Sequence, residues 1–325
     1  NEEFIFKPFS NGSPKRFLDI KDLKKYPNVD LLLNTNLIRL TSNDRKSIDG
    51  LLIFQNGKEE LVAITPNQKV ILACGGLGNA QILLQPAARS AVSIGNESGL
   101  AGKFLMEHPH AHSADILIDK SKLPKVNDTF GYHTRAFTPS THILQKHGLL
   151  NCTVAIEDLP KESRINSKEQ NYFERIWGTK LERVIGYARG EQEPLLNNQV
   201  IIVNKKNWAG LYTLRTQCAF SNRDLYTLDL TTRLFGEYMF QNKIGILRVK
   251  NDNIYRNSGG GGHTMGTTRM GFSIKDSVCD KNHRVHSYNN LYIAGSSIFP
   301  TVGSANPTLT ISATSMRLGQ ILNRA

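Results

Sequence analysis

KVILACGGLGNAQILLQ (Lys69–Gln85) is the stretch from which the fold class follows. Its first half is a continuous apolar run, the pattern of a strand buried on both faces. Gly75 and Gly76 interrupt that run. LGNAQILLQ then repeats its apolar residues at helical spacing. A strand that enters a glycine turn and leaves as a helix is the repeating unit of an α/β sheet. It is also a place where a phosphate or a ring system can approach backbone amides. Taken alone, the stretch is equally an ordinary strand, turn and helix.

Upstream, the chain reads as strands. VDLLLNTNLIRL (Val29–Leu40) is apolar and broken by Asn34 and Asn36. GLLIFQNGKEELVAI (Gly50–Ile64) is two strands around Asn56-Gly57, the strongest short hairpin signal. Downstream, from about Ala111 to Asn253, the texture changes. SADILID, NCTVAI, NNQVIIVN, GLYTLRTQCAF and KIGILRV read as strands; Lys168–Ala188 and Asp224–Gln241 read as helices. Such a mixture with long loops predicts a separate α+β unit with a mainly antiparallel sheet and flanking helices. Near the end, NNLYIAGSS (Asn289–Ser297) is a short strand that runs into Gly295. A helix is predicted from Pro307 onward, with Asn306 at the N-cap and Pro307 at the first helical position. Small residues on much of its surface predict tight packing all round.

A chain of 325 residues makes one large domain or two ordinary ones, and 39% apolar residues suffice for a core. No run of about 18 apolar residues is present, so no membrane span is expected. NEEFIFKPFS shows no secretory leader, although Asn1 is not a natural start and the chain can begin mid-protein. The formal charge is +12. The basic residues are scattered, and Lys21–Lys25 and Asn204–Asn207, the densest groups, lack interleaved aromatics. The charge therefore reads as a solvated surface and not as a nucleic-acid site. Cys74, Cys152, Cys218 and Cys279 are too widely spaced for a zinc site or a disulfide framework. Cys74 reads as a small buried residue. HPHAH (His108–His112) has no carboxylate partner at metal-ligand spacing, and no metal is expected.

GGGGHTMGTTRMG (Gly259–Gly271) gives up much backbone freedom to present one histidine, His263. A base of near-neutral pKa suits removal of a hydroxyl proton while hydride leaves the adjacent carbon. A carboxamide such as Asn306 can hold the oxygen without competing for the proton. Each feature has a plainer alternative: a structural histidine ending a flexible loop, and an Asn-Pro pair that only caps a helix.

Together, HTMGTTRMG and VCDKNHRVHSYNNLYIAGSSIFPTVGSANPTLTISATSMRLGQIL resemble the C-terminal signature of the glucose–methanol–choline (GMC) oxidoreductases, FAD-dependent alcohol and sugar oxidases and dehydrogenases. The look is nearest to bacterial sugar or alcohol dehydrogenases and pyranose-oxidase-like members. KVILACGGLGNAQILLQ and Gly95–Ala111 resemble upstream segments of the family, whereas the middle region matches only loosely. The resemblance implies FAD as cofactor and hydride transfer from a sugar or alcohol hydroxyl. His263 takes the place of the catalytic base, and Asn306 that of its partner, which positions the substrate oxygen. Ala73, Cys74, Gly75, Gly295, Ser296, Asn306, Pro307 and Thr308 fall beside the cofactor. Thr264 stands where a second histidine is often found.

By the same likeness, residues 1–110 and 254–325 form a partial FAD-binding domain of Rossmann-like type, and residues 111–253 a substrate-binding domain. The family's G-x-G-x-x-G segment has no counterpart here. A missing N-terminal FAD-binding segment or chain is therefore an expected partner. The alternative is a non-catalytic fragment or subunit that keeps the fold. The electron acceptor (oxygen, a quinone or another) is left open.

Overall fold

The structure, a computed structural model, describes residues 4–10, 26–86, 93–125, 133–158 and 166–324. The chain is mixed α/β and divides into two compact units.

The first unit takes in His108–Glu193 and Phe220–Gly261, together with strand β1 (Phe4–Ser10). Its frame is a seven-stranded antiparallel sheet. β1 pairs with β7 (His133–Pro139), and the order continues through β8 (Cys152–Asp158), β9 (Glu182–Gly190), β6 (Pro109–Ile118) and β12 (Gly245–Val249). β13 (Gly259–Gly260) also pairs with β6. Every second residue of β9 is buried, from Val184 to Gly190, as expected for a strand with one face on a core. The covering element is the long helix α4 (Asn222–Gln241). Ser221 and Asp224 close a capping box at its start, so both orphan donors there are satisfied. Phe235 and Met239 of α4 join Phe4, Ile116, Phe137, Val154 and Val184 in the core. The Phe137 and Phe235 rings lie 4.9 Å apart. Shorter helices α2 (Thr141–His147), α3 (Ser167–Trp177) and α5 (Asn251–Tyr255) complete the unit.

Lys168–Ala188, expected as one helix, is two elements. Gly178 adopts the left-handed conformation (φ 65°) and ends α3, and the chain then alternates as β9.

The second unit takes in Tyr26–Glu107, Pro194–Ala219 and Gly262–Ala325. β2 (Thr35–Thr41), β3 (Gly50–Gln55) and β4 (Lys58–Ala63) form an antiparallel meander. Asn56 and Gly57 both have positive φ, the geometry of the tight hairpin turn expected there. β5 (Val70–Leu72) leads into helix α1 (Gly75–Leu84). β5 lies parallel to β14 (Leu291–Ile293), from a segment more than 200 residues later. A hairpin of β10 (Gln199–Lys206) and β11 (Tyr212–Gln217) belongs to this unit. The last helix is α6 (Thr308–Leu322).

One core gathers Ile38, Leu40, Ile48, Leu72, Leu83, Tyr288, Leu291, Ile293 and Ile298. Buried Asn290 joins its parts: Oδ1 accepts from Ile48 N at 2.8 Å and Nδ2 donates to Ile48 O at 2.9 Å. No helix among the described residues is long and apolar enough to cross a membrane.

Candidate active site

The parallel pair β5–β14 sets up the site. Both strands end at the same edge, and each runs into a glycine turn. After β5 comes Gly75 at φ +78°; after β14 comes Gly295 at φ +105° and ψ −172°. The latter conformation is essentially closed to residues with a side chain. A Cβ on Gly295 would stand 3.9 Å from Gly75 Cα, so the two turns face each other. The direction in which Gly75 would carry a side chain is open, with nothing within 4 Å. In open α/β sheets, ligands bind beyond the carboxyl ends of the strands, where successive turns part.

Asn79, wholly buried on α1, ties the two turns together. Its Oδ1 accepts from Cys74 N at 2.8 Å, and its Nδ2 donates to Ala294 O at 2.9 Å and Ser297 Oγ at 2.8 Å. Residues 264–270 run over the same place. Ser296 Oγ donates to Thr264 O at 2.8 Å, and Gly266 N, Thr268 N and Met270 N donate to Ser296 O, Ser297 O and Ile298 O. Thr267 Oγ1 donates to Gly76 O. Gly76 is obligatory for this approach, since a Cβ there would meet Thr264 O at 2.0 Å.

The structure thus brings Gly76 and Ser296 into contact with the residues that follow His263, and Gly75 and Gly295 stand next to them in the two turns. Ala73 and Cys74 lie at the open end of β5, and both are exposed. Cys74 is not the buried residue expected: the strand ends at Leu72, so Cys74 sits in the turn as the N-cap of α1. His263 is partly buried, and its main-chain N–H donates to Glu107 Oε2 at 2.8 Å. Burial pushes the Glu107 carboxyl above its ordinary value, against the opposing pull of that N–H and of the nearby His263 charge.

Asn306 is exposed and does not cap α6. Pro307 is the N-cap, already at helical angles (φ −77°, ψ −12°), and the helix runs from Thr308. Pro307 O accepts the first helical hydrogen bond, from Ile311 N at 2.9 Å, which makes it the N-cap and places the start one residue later than the side chains suggested. Thr308 is exposed at that start. α6 is also not packed all round: Leu318 is its one buried residue, held with Tyr292 and Ala294, while Leu309 and Met316 are 80% and 71% exposed.

Sequence reasoning passed over Asn79 and Glu107. An amide in the middle of the apolar helix LGNAQILL was the available signal for Asn79. Glu107 carries no such signal, because what it binds is main chain.

Residues 240–315 match the family model of the GMC oxidoreductases, C-terminal domain. The turn after β14 and the first half of α6 both fall within the matched residues. Among curated relatives, it is 26% identical over 272 residues to a 2-methyl-1,2-propanediol dehydrogenase of Mycolicibacterium austroafricanum, covering 78% of this chain and 48% of the relative. It is 24% identical to a paromamine 6'-oxidase of Streptomyces fradiae, covering 91% of this chain and 52% of that one. The chain spans about half the length of these relatives. Among solved structures, a pyridoxine 4-oxidase from Mesorbium loti superposes with a TM-score of 0.59 at 14% identity, over 90% of this chain and 57% of that one. A formate oxidase of Aspergillus oryzae gives 0.57 at 13% identity, over 93% and 62%. These likenesses establish the fold.

Proposed function

We propose that this chain supplies the catalytic portion of an FAD-dependent oxidoreductase that oxidises a sugar or alcohol hydroxyl, with His263 as base and Asn306 positioning the substrate oxygen. The observation that carries this reading is the convergence of the Gly75 and Gly295 turns beneath the segment that follows His263. The names of the relatives, a 2-methyl-1,2-propanediol dehydrogenase and a paromamine 6'-oxidase, point to the same CH–OH chemistry. A large planar cofactor fits these residues, because the Gly75 turn opens onto free space and Ala73 and Cys74 are exposed beside it.

FAD, when bound, supplies the two-electron acceptor for the hydride. In this reading, His263 accepts the hydroxyl proton as the C–H bond breaks, which lets the oxygen become a carbonyl. Asn306 donates an amide N–H to that oxygen and holds it in register. The free N–H groups at the start of α6, beside Pro307 and Thr308, favour negative charge near them. Gly75 and Gly295 admit the cofactor by lacking side chains. The Ser296 hydroxyl is committed to Thr264 O, so its main chain is what it offers. In this reading residues 1–110 and 254–325 hold the cofactor, and residues 111–253 bind the substrate.

The rest of the cofactor grip comes from a further segment. Ile71 on the parallel pair and Leu309 and Met316 on α6 are exposed apolar residues, and a parallel sheet is ordinarily covered on both faces. The relatives, twice as long, have chain to spare for that purpose.

The test is His263→Ala in the FAD-loaded enzyme. The flavin stays bound, and its reduction by substrate slows by about 10²–10⁴-fold. Reduction at the parent rate would remove the base assignment.

A further inference from the structure

The glycine run before His263 raises a question that hydride chemistry alone does not answer. Glycine loses more conformational freedom on folding than any other residue. Gly259 and Gly260 are held by pairing with β6, and Gly261 N donates to His108 O at 3.1 Å, which leaves the step from Gly262 to His263 to be ordered. Gly262 has φ +73° and open space where a side chain would lie, so glycine is there for its backbone angle. With a left-handed residue at that place, successive N–H groups turn toward one point and form an anion-binding concavity. The Glu107 carboxylate sits at it: Oε2 accepts from His263 N at 2.8 Å, and the Gly262 main chain is close enough to help hold the carboxyl's pKa down.

Glu107 itself stands on a braced segment. Its neighbour Met106 exchanges two main-chain hydrogen bonds with Met265, at 3.0 and 2.9 Å. Leu105 N donates to Asn198 O at 2.9 Å. The Arg269 guanidinium lies 3.8 Å from the centre of the Phe104 ring, and Gly266 leaves room for Phe104 O, which a Cβ would meet at 2.4 Å. An ionised acceptor makes hydrogen bonds roughly twice as strong as a neutral one, and this acceptor sits on a rigid mount.

We infer that Glu107 is a positioning residue for His263, its carboxylate ordering the Gly262–His263 main chain and so fixing the direction in which the imidazole leaves the loop. The catalytic half of this inference rests on His263 being the base; the ordering half does not.

The experiment has two arms. In the 325-residue chain, amide hydrogen exchange is followed for Glu107→Ala and Glu107→Gln. Exchange at His263 N rises about tenfold or more in the alanine variant, the effect of losing a charge-assisted hydrogen bond. Glutamine, which retains an acceptor oxygen, restores much of the protection, and Met265 N, bonded to Met106, does not change. Parent-like exchange at His263 in the alanine variant overturns the inference, as does a glutamine variant no better than alanine. If Glu107→Ala does not fold, the glutamine variant alone decides: protection near the parent supports the inference, and exchange at the rate of an unstructured peptide sinks it. In the FAD-loaded enzyme, Glu107→Ala lowers the limiting rate of flavin reduction while substrate affinity and the flavin spectrum stay as in the parent, and glutamine recovers the rate. Should His263→Ala prove harmless, the base reading fails while the exchange result stands, so the two failures are separable.

Discussion

Single residues fix the geometry of the cradle more than any secondary-structure propensity does. Asn79 is the clearest case, because one amide satisfies a donor after β5, a carbonyl after β14 and a hydroxyl beside them. No other side chain of α1 bonds to both turns. Asn79→Ala leaves Cys74 N and Ala294 O to find new partners in a buried place, where each unmade hydrogen bond costs about 1–3 kcal/mol. We expect the variant to unfold at a clearly lower urea midpoint with an unchanged slope, a loss of about 2–4 kcal/mol. A midpoint equal to the parent's would mean that the turns hold themselves. His263 and Asn306 stand out in the sequence as candidates because their residue types suit a chemistry. Asn79 and Glu107 were not, since an amide and a carboxylate that bind main chain leave no pattern along the polymer.

At the level of elements, legibility follows how local the determining forces are. The Asn56-Gly57 hairpin and the strand–turn–helix from Val70 to Leu84 are encoded in a few neighbouring residues, and both stand as the sequence predicts. Lys168–Ala188 misled because charged and aromatic residues suit a helix until Gly178, after which pairing with β6 and β8 takes over. Pairing partners 26 to 79 residues away cannot be read from a local window. α6 failed in another way: its small residues permit close packing, but permission is not contact. Only Leu318 of that helix is buried among the described residues. We therefore expect Leu318→Ala to destabilise the chain by about 2–4 kcal/mol through the cavity it leaves. Leu309→Ala should fall within about 0.5 kcal/mol of the parent, as exposed sites do. Thermal melts of the two variants decide this; a loss at Leu309 comparable to that at Leu318 would show that the helix is covered in solution by something from this chain.

For the molecule as a whole, the question is how much of a nucleotide grip this chain holds. The Gly75 and Gly295 turns, which face each other, are where a flavin and its pyrophosphate would lie in the proposed reading. Tight dinucleotide binding also draws on a glycine-rich strand-to-helix turn and an acidic residue for the ribose, and the sequence has no such fingerprint. The charge of +12 attracts a phosphorylated ligand, yet scattered lysines and arginines give steering without a fixed geometry. The exposed Ile71, Leu309 and Met316 mark surface that a cofactor alone would not cover. The 325-residue chain by itself should thus bind FAD weakly or not at all, and purify without yellow colour. Titration with FAD, followed by quenching of flavin fluorescence, measures this directly. Adding a chain that carries a glycine-rich strand-to-helix segment of that kind should bring both flavin absorbance and protection of Leu309 and Met316, if one docking event covers the sheet and completes the cofactor site together. Stoichiometric, tightly held FAD in the purified chain would show instead that the two glycine turns and the α6 start suffice.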